Sequence, residues 1–116
     1  MSQFVIRQVA TGVKFDLKAA NGETVATSEV YRTEAACRKG IQSVEKCAAA
    51  ALLENQTQEG WVRESNPKFQ LYQDRSGAYR FRLTARNGKV IAVSEGYATQ
   101  TAALAGIDSV RKNALD

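Results

Sequence analysis

One stretch of sequence occurs twice. Phe15 to Lys46 aligns without a gap on Phe81 to Lys112, at a constant shift of 66 positions, and sixteen of the thirty-two pairs are identical. Upstream, Phe4 to Gly12 matches Phe69 to Gly77. Each copy holds about 50 to 58 residues, near the lower limit for folding alone. Two copies sharing one core is therefore the expected organisation: residues 1–58 as the first repeat, 59–116 as the second, together one compact domain.

Each copy reads as three strands and a helix. Phe4 and Ile6, or Phe69 and Leu71, alternate along a first strand. A turn follows at Thr11-Gly12 or Asp74-Arg75-Ser76-Gly77. The second strand puts Phe15, Leu17 and Ala19, or Phe81, Leu83 and Ala85, on one face. Asn21-Gly22 and Asn87-Gly88 then signal a hairpin with a type I′ turn. The third strand spans Glu23 to Ser28 or Lys89 to Ser94. After it the period changes. Thr33 and Thr99 are placed as N-caps, and Ala36, Gly40, Ile41 and Val44 recur at helical spacing, as do Ala102, Gly106, Ile107 and Val110. Glycine inside a helix costs about 1 kcal/mol against alanine, so its presence in both copies predicts close packing, with the sheet as the expected neighbour. Tyr31 and Tyr97 are expected to pack at the helix entry. The run from Ala49 to Arg63 reads either as a longer helix plus linker or as an added strand. Trp61, which has no counterpart, is expected to cover the seam between copies.

The net charge is +4, from 16 basic and 12 acidic residues. It permits contact with phosphates without requiring it. Cys37 and Cys47 lie ten residues apart in one predicted helix, roughly 15 Å along its axis, too far for a disulfide. Buried small residues is the reading they invite. With no histidine and no cysteine beyond these two, a zinc site is not expected, nor is a cofactor. No apolar run approaches a membrane span, and the N-terminus reads directly as a strand. A cytoplasmic protein without membrane attachment is expected.

The repeated phrase Phe-x-Leu-x-Ala-x-Asn-Gly-x-x-x-Ala-x-Ser-Glu-x-Tyr, followed by Gly-Ile-x-Ser-Val-x-Lys, resembles the YegP-like family. These are small bacterial and archaeal proteins carrying a domain of unknown function in one or two copies. The second copy matches nearly throughout, from Phe69 to Ala114; the first matches best from Phe15 to Lys46. The resemblance implies an α+β fold of two β-β-β-α(-β) repeats. They would form one continuous antiparallel sheet, with helices packed on one face and a pseudo-two-fold axis between copies. It implies a monomer with an internal pseudo-dimer, since single-copy members resemble homodimers of the same design. It brings no established activity and no catalytic residues. One departure is that the chain ends soon after the second helix, so the last strand of the second copy is expected to be short or absent.

Two groups of polar residues stand out. Ser28, Glu29 and Tyr31 recur as Ser94, Glu95 and Tyr97. They read as a twinned polar site or, structurally, as the device that ends a strand and aims the chain into a helix. No base or metal partner accompanies the serine, so nucleophilic chemistry lacks a third group. No phosphate-binding glycine loop is present. The second group is basic. If Phe81, Leu83 and Ala85 face inward, then Arg80, Arg82, Thr84 and Arg86 face outward together, unopposed by any acid from Tyr79 to Lys89. In the first copy the equivalent outward row is Lys14, Asp16, Lys18 and Ala20, and Tyr72 and Tyr79 are expected to add aromatic surface. Arginine with aromatics on a sheet suits weak single-stranded nucleic-acid binding, whereas an uncovered face also needs polar residues for solubility alone. The leading expectation is a non-enzymatic interaction module using this basic face. The alternative is a purely structural or stress-related protein-interaction domain with no ligand site.

Overall fold

Alternation in Phe15-Asp16-Leu17 and Phe81-Arg82-Leu83 makes one side of each strand greasy and the other polar, so each sheet half must bury one face. The computed structural model describes residues 3–114. The strands are β1 (Phe4–Val9), β2 (Gly12–Lys18), β3 (Thr24–Thr27), β4 (Leu52–Asn55), β5 (Lys68–Gln73), β6 (Tyr79–Thr84) and β7 (Val90–Val93). The helices are α1 (Glu34–Ala48), after β3, and α2 (Gln100–Ala114), after β7. All seven strands form one sheet in the order β1-β2-β3-β7-β6-β5-β4. Antiparallel pairing at Thr27 and Val93, on β3 and β7, joins the copies at the centre.

The buried apolar side chains of both copies fall into a single cluster. Phe15, Leu17, Phe69, Leu71, Phe81 and Leu83 form its sheet side and are almost fully buried. Cys37, Val44, Cys47 and Ala48 come down from α1, and Ala103, Ile107, Val110 and Ala114 from α2. The ring packing repeats. Phe15 and Tyr31 stack at 6.3 Å and 17°, and Phe81 and Tyr97 at 6.2 Å and 14°. Thr33 and Thr99 cap the helices, their hydroxyls accepting from the amides of Ala36 and Ala102 at 3.1 and 3.0 Å.

The helical glycines lie against the tyrosines as well as the sheet. A Cβ on Gly106 would sit 2.5 Å from the Tyr97 hydroxyl and 2.9 Å from the Phe81 ring. Gly40 stands in the same relation to Tyr31 and Phe15. Each tyrosine thus fills the space its glycine vacates.

Four expectations need correction. The sheet is not wholly antiparallel: β4 runs parallel to β5. The run after α1 is therefore an added strand, and it pairs at the edge of the other repeat. Second, the Asn-Gly hairpins are not type I′ turns, because among the described residues only glycines have positive φ. Gly22 N–H donates to the Ala19 carbonyl at 2.9 Å, Ala19 N–H to Glu23 at 2.8 Å, and the Asn21 side chain accepts from Glu23 N–H at 3.0 Å. Gly88, Ala85, Lys89 and Asn87 repeat the pattern. This is a longer connection in which one left-handed glycine follows a turn, so asparagine acts through its side chain. Third, Trp61 does not cover the seam. It lies in the β4–β5 connection, at the far edge of the sheet, and is 43% exposed. Fourth, Arg86 leaves the outward arginine row, for reasons of geometry given below.

Candidate functional site: the open sheet face

Both helices pack on one side of the sheet, leaving the outward residues of all seven strands as the opposite surface. Register aligns Val5, Asp16, Thr27, Val93, Arg82, Gln70 and Glu54 in one row across it. The acids are engaged. Asp16 accepts from Arg7 Nε at 2.8 Å and from the Thr27 hydroxyl at 2.7 Å, and although burial pushes its pKa up, these partners hold it below the ordinary value. A groove of about 160 Å³ at the β3–β7 seam is lined by Arg7, Asp16, Thr24, Thr27, Val93 and Glu95.

At the far end Glu54 is almost fully buried, although it points to the open side. Glu64, in the connection to β5, donates its N–H to Glu54 at 2.8 Å. Lys68 Nζ lies 2.7 Å away, and Gln56 and Gln70 donate at 2.7 and 3.2 Å. Burial would raise the carboxyl's pKa, but Lys68 and these donors outweigh it and hold it at about 2. Glu54 is thus a saturated carboxylate, unsuited to act as a general base at neutral pH.

The basic residues divide. Arg80 is tied to the turn before it: Asp74 Oδ2 accepts its Nε at 2.7 Å, while Asp74 Oδ1 accepts from Ser76 and Ala78. The Ser76 and Arg80 hydrogen bonds hold the Asp74 carboxyl at about 2. Lys18 donates to Thr24 at 2.8 Å, and Lys14 pairs in register with Arg7. Arg82 donates Nε to Gln70 at 2.8 Å and lies 4.9 Å over the Tyr72 ring. Arg86 departs from this row. The β6–β7 register slips at Leu83 and Thr84, β6 ends there, and Arg86 lies in the hairpin turn, lining a cavity with Ser43, Lys46 and Cys47 of α1. Strand alternation no longer carries it outward.

Ser28, Glu29 and Tyr31 do not converge. The Ser28 hydroxyl accepts from Phe15 N–H at 2.9 Å and donates to the Glu29 carbonyl at 2.7 Å. Ser94 does the same with Phe81 and Glu95, at 2.9 and 2.8 Å. The serine substitutes for a main-chain acceptor where the chain leaves the sheet, before Tyr31 and Tyr97 pair again with Val13 and Tyr79. Tyr31 and Tyr97 turn under the helices, and burial raises both hydroxyl pKa values, so they stay protonated at neutral pH. Glu29 and Glu95 are exposed.

Comparison with known proteins places this geometry. The family described as domain of unknown function (DUF1508) matches residues 10–54 and again 74–116. The chain belongs to that family. It is 35% identical to the UPF0339 protein YegP of Yersinia pestis over 99% of this chain and 90% of that one. It is 40% identical to a UPF0339 protein of Photorhabdus laumondii over 85% and 74% of the two chains. A UPF0339 protein of Treponema denticola is 57% identical over 49 residues, which are 84% of its length, so a relative can consist of little more than one repeat. The solution structure of yegP from E. coli, a protein of unknown function, superposes with a TM-score of 0.79 at 29% identity, covering 97% of this chain and 85% of that one. The YegP-like resemblance read from the repeated phrase is therefore correct, and so is the α+β repeat fold it implied. Among the described residues no helix is long and apolar enough to cross a membrane.

Proposed function

We propose that the protein is a non-enzymatic, cytoplasmic interaction module. Its β5–β6 half of the open face would bind single-stranded nucleic acid weakly, without sequence readout. One observation carries the reading. Arg82 is oriented by Gln70 through Nε and by the Tyr72 ring beneath it, while its two terminal nitrogens have no partner among the described residues. A guanidinium held in place with its outer edge vacant suits a phosphate, and an adjacent tyrosine suits a stacked base. Lys14 and Lys18 lie on the same side of the sheet. The test is retention on immobilised single-stranded DNA at low salt. Arg82→Ser together with Tyr72→Ser should abolish retention and leave the melting temperature nearly unchanged. Equal retention by parent and variant would end the proposal, as would no retention by the parent.

A protein partner is the second reading. Leu52, Leu53, Trp61 and Val62 are 39% to 72% exposed on β4 and its following connection, which favours contact with an apolar partner surface. Capture of the parent by single-stranded DNA, lost on substituting Arg82 but not Trp61, separates the two.

A further inference from the structure

The duplication builds a pair of cavities on the helix side, away from the open face. Each lies between the helix of one repeat and the hairpin turn of the other. One, of about 250 Å³, is lined by Ser43, Lys46 and Cys47 of α1 and by Ala85, Arg86 and Asn87. Its twin, of about 380 Å³, is lined by Ser109, Lys112 and Asn113 of α2 with Ala19, Ala20 and Asn21, and also by Ala105 and Asp108. Ser43/Ser109, Lys46/Lys112, Ala85/Ala19 and Asn87/Asn21 are identical between copies, although only half of the aligned positions are.

The differences decide the chemistry. Arg86 corresponds to Ala20, so the first cavity has two cations where its twin has one. Among the described residues no acid lines the first, whereas Asp108 lines the second. In the twin, the Asn113 amide donates to the Ser109 hydroxyl at 3.1 Å and to its carbonyl at 2.8 Å. Cys47 replaces Asn113 in the first cavity, and the Ser43 hydroxyl has no partner among the described residues. Among the described residues neither Lys46 nor Arg86 enters an ion pair there. The C-terminal end of a helix ordinarily repels anions. Here Arg111 of α2 reaches across and donates to the Ala48 carbonyl at 2.9 Å, placing a positive charge at the end of α1.

We propose that the cavity between α1 and the β6–β7 turn binds a phosphoryl group, free or as a small monoester. Lys46 and Arg86 supply charge, Ser43 a hydroxyl donor and Asn87 an amide donor. The twin cavity, with Asp108 and without the arginine, does not bind it. This site stands on the opposite side of the sheet from Arg82 and is independent of the proposed nucleic-acid surface.

The test is residue-resolved amide NMR of the whole chain. It is titrated at constant ionic strength with inorganic phosphate, with glycerol phosphate, and with chloride as control. The expected result is saturable movement at Ser43, Lys46, Cys47, Arg86 and Asn87, none at Ala20, Asn21, Ser109 and Lys112, and no response to chloride. Tighter binding of glycerol phosphate would assign the site to a monoester, and equal or weaker binding to free phosphate. Arg86→Gln and Lys46→Gln, both at exposed positions, should each weaken binding about tenfold, the worth of one charge-assisted hydrogen bond. Non-saturable drift, equal movement in both cavities, or unchanged affinity in both variants would overturn the proposal. These variants retain Arg82, so their single-stranded DNA binding reports separately on the open face.

Discussion

Gly106→Ala isolates the contact that shapes each repeat. On propensity alone the substitution should stabilise α2 by about 1 kcal/mol. The structure opposes that gain. The new methyl would stand 2.5 Å from the Tyr97 hydroxyl, whereas ordinary contact begins near 3.4 Å, so roughly 0.9 Å must be found. Tyr97 cannot yield simply, because its ring stacks on Phe81, whose own edge would be 2.9 Å from the methyl. Overpacking of this kind costs about 1–3 kcal/mol, giving a net loss of up to about 2 kcal/mol. For a domain of this size that is a fall in melting temperature of about 4 °C per kcal/mol, readable by circular dichroism. Adding Tyr97→Phe removes the nearest atom and should recover about half the loss, a favourable coupling of about 1 kcal/mol. A Gly106→Ala variant melting above the parent, or a double variant showing no coupling, would refute the reasoning.

The buried Glu54–Lys68 pair predicts an acid-side loss of stability. The glutamate's ordinary value is 4.5 and its folded value about 2, so the unfolded chain binds the extra proton between them. Its contribution is complete above about pH 4.5 and disappears as pH falls toward 2. Glu54→Gln should cost about 3–5 kcal/mol at pH 7, because the Lys68 ammonium is left buried and unpaired, and it should flatten urea stability over that pH window. An unchanged slope would show that other carboxylates govern acid unfolding. Separately expressed residues 1–58 and 65–116 should each be unfolded or self-associated, since the core and the β3–β7 pairing span both. Two stable monomeric halves would contradict a shared core.

Local features were legible in the sequence. The Phe-x-Leu alternation, the threonine caps and the helical glycines each act within a few residues of themselves, and repetition made them visible. Non-local features were not. Gly40 and Gly106 announced a close neighbour, but only the fold shows that a tyrosine hydroxyl occupies the space. The Asn-Gly signal gave the hairpin but not its turn, because the Asn side-chain hydrogen bond and the following left-handed glycine compete with the type I′ form. Strand alternation placed Arg80 and Arg82 and misplaced Arg86, because a register slip at Leu83 and Thr84 ends the alternation first. The acid that ties Arg80, Asp74, lies in the turn before β6, outside the acid-free stretch from Tyr79 to Lys89. The Glu54–Lys68 pair left no trace, since β4 has no described counterpart in the second repeat and parallel pairing joins residues fourteen apart. Ser43, Lys46 and Asn87 were visible as repeated residues, but nothing local says that the helix of one repeat meets the turn of the other.

The proposed binding surface is the β5–β6 half of the open sheet face. Photo-crosslinking of the intact chain to a single-stranded oligonucleotide at low salt, followed by peptide mapping, tests it most directly. The expected adducts are at Tyr72, competed by unlabelled single-stranded DNA and lost in Arg82→Ser. Adducts confined to Trp61 or to the helix-side tyrosines Tyr31 and Tyr97, or no adduct where an established single-strand binder is captured, would contradict it.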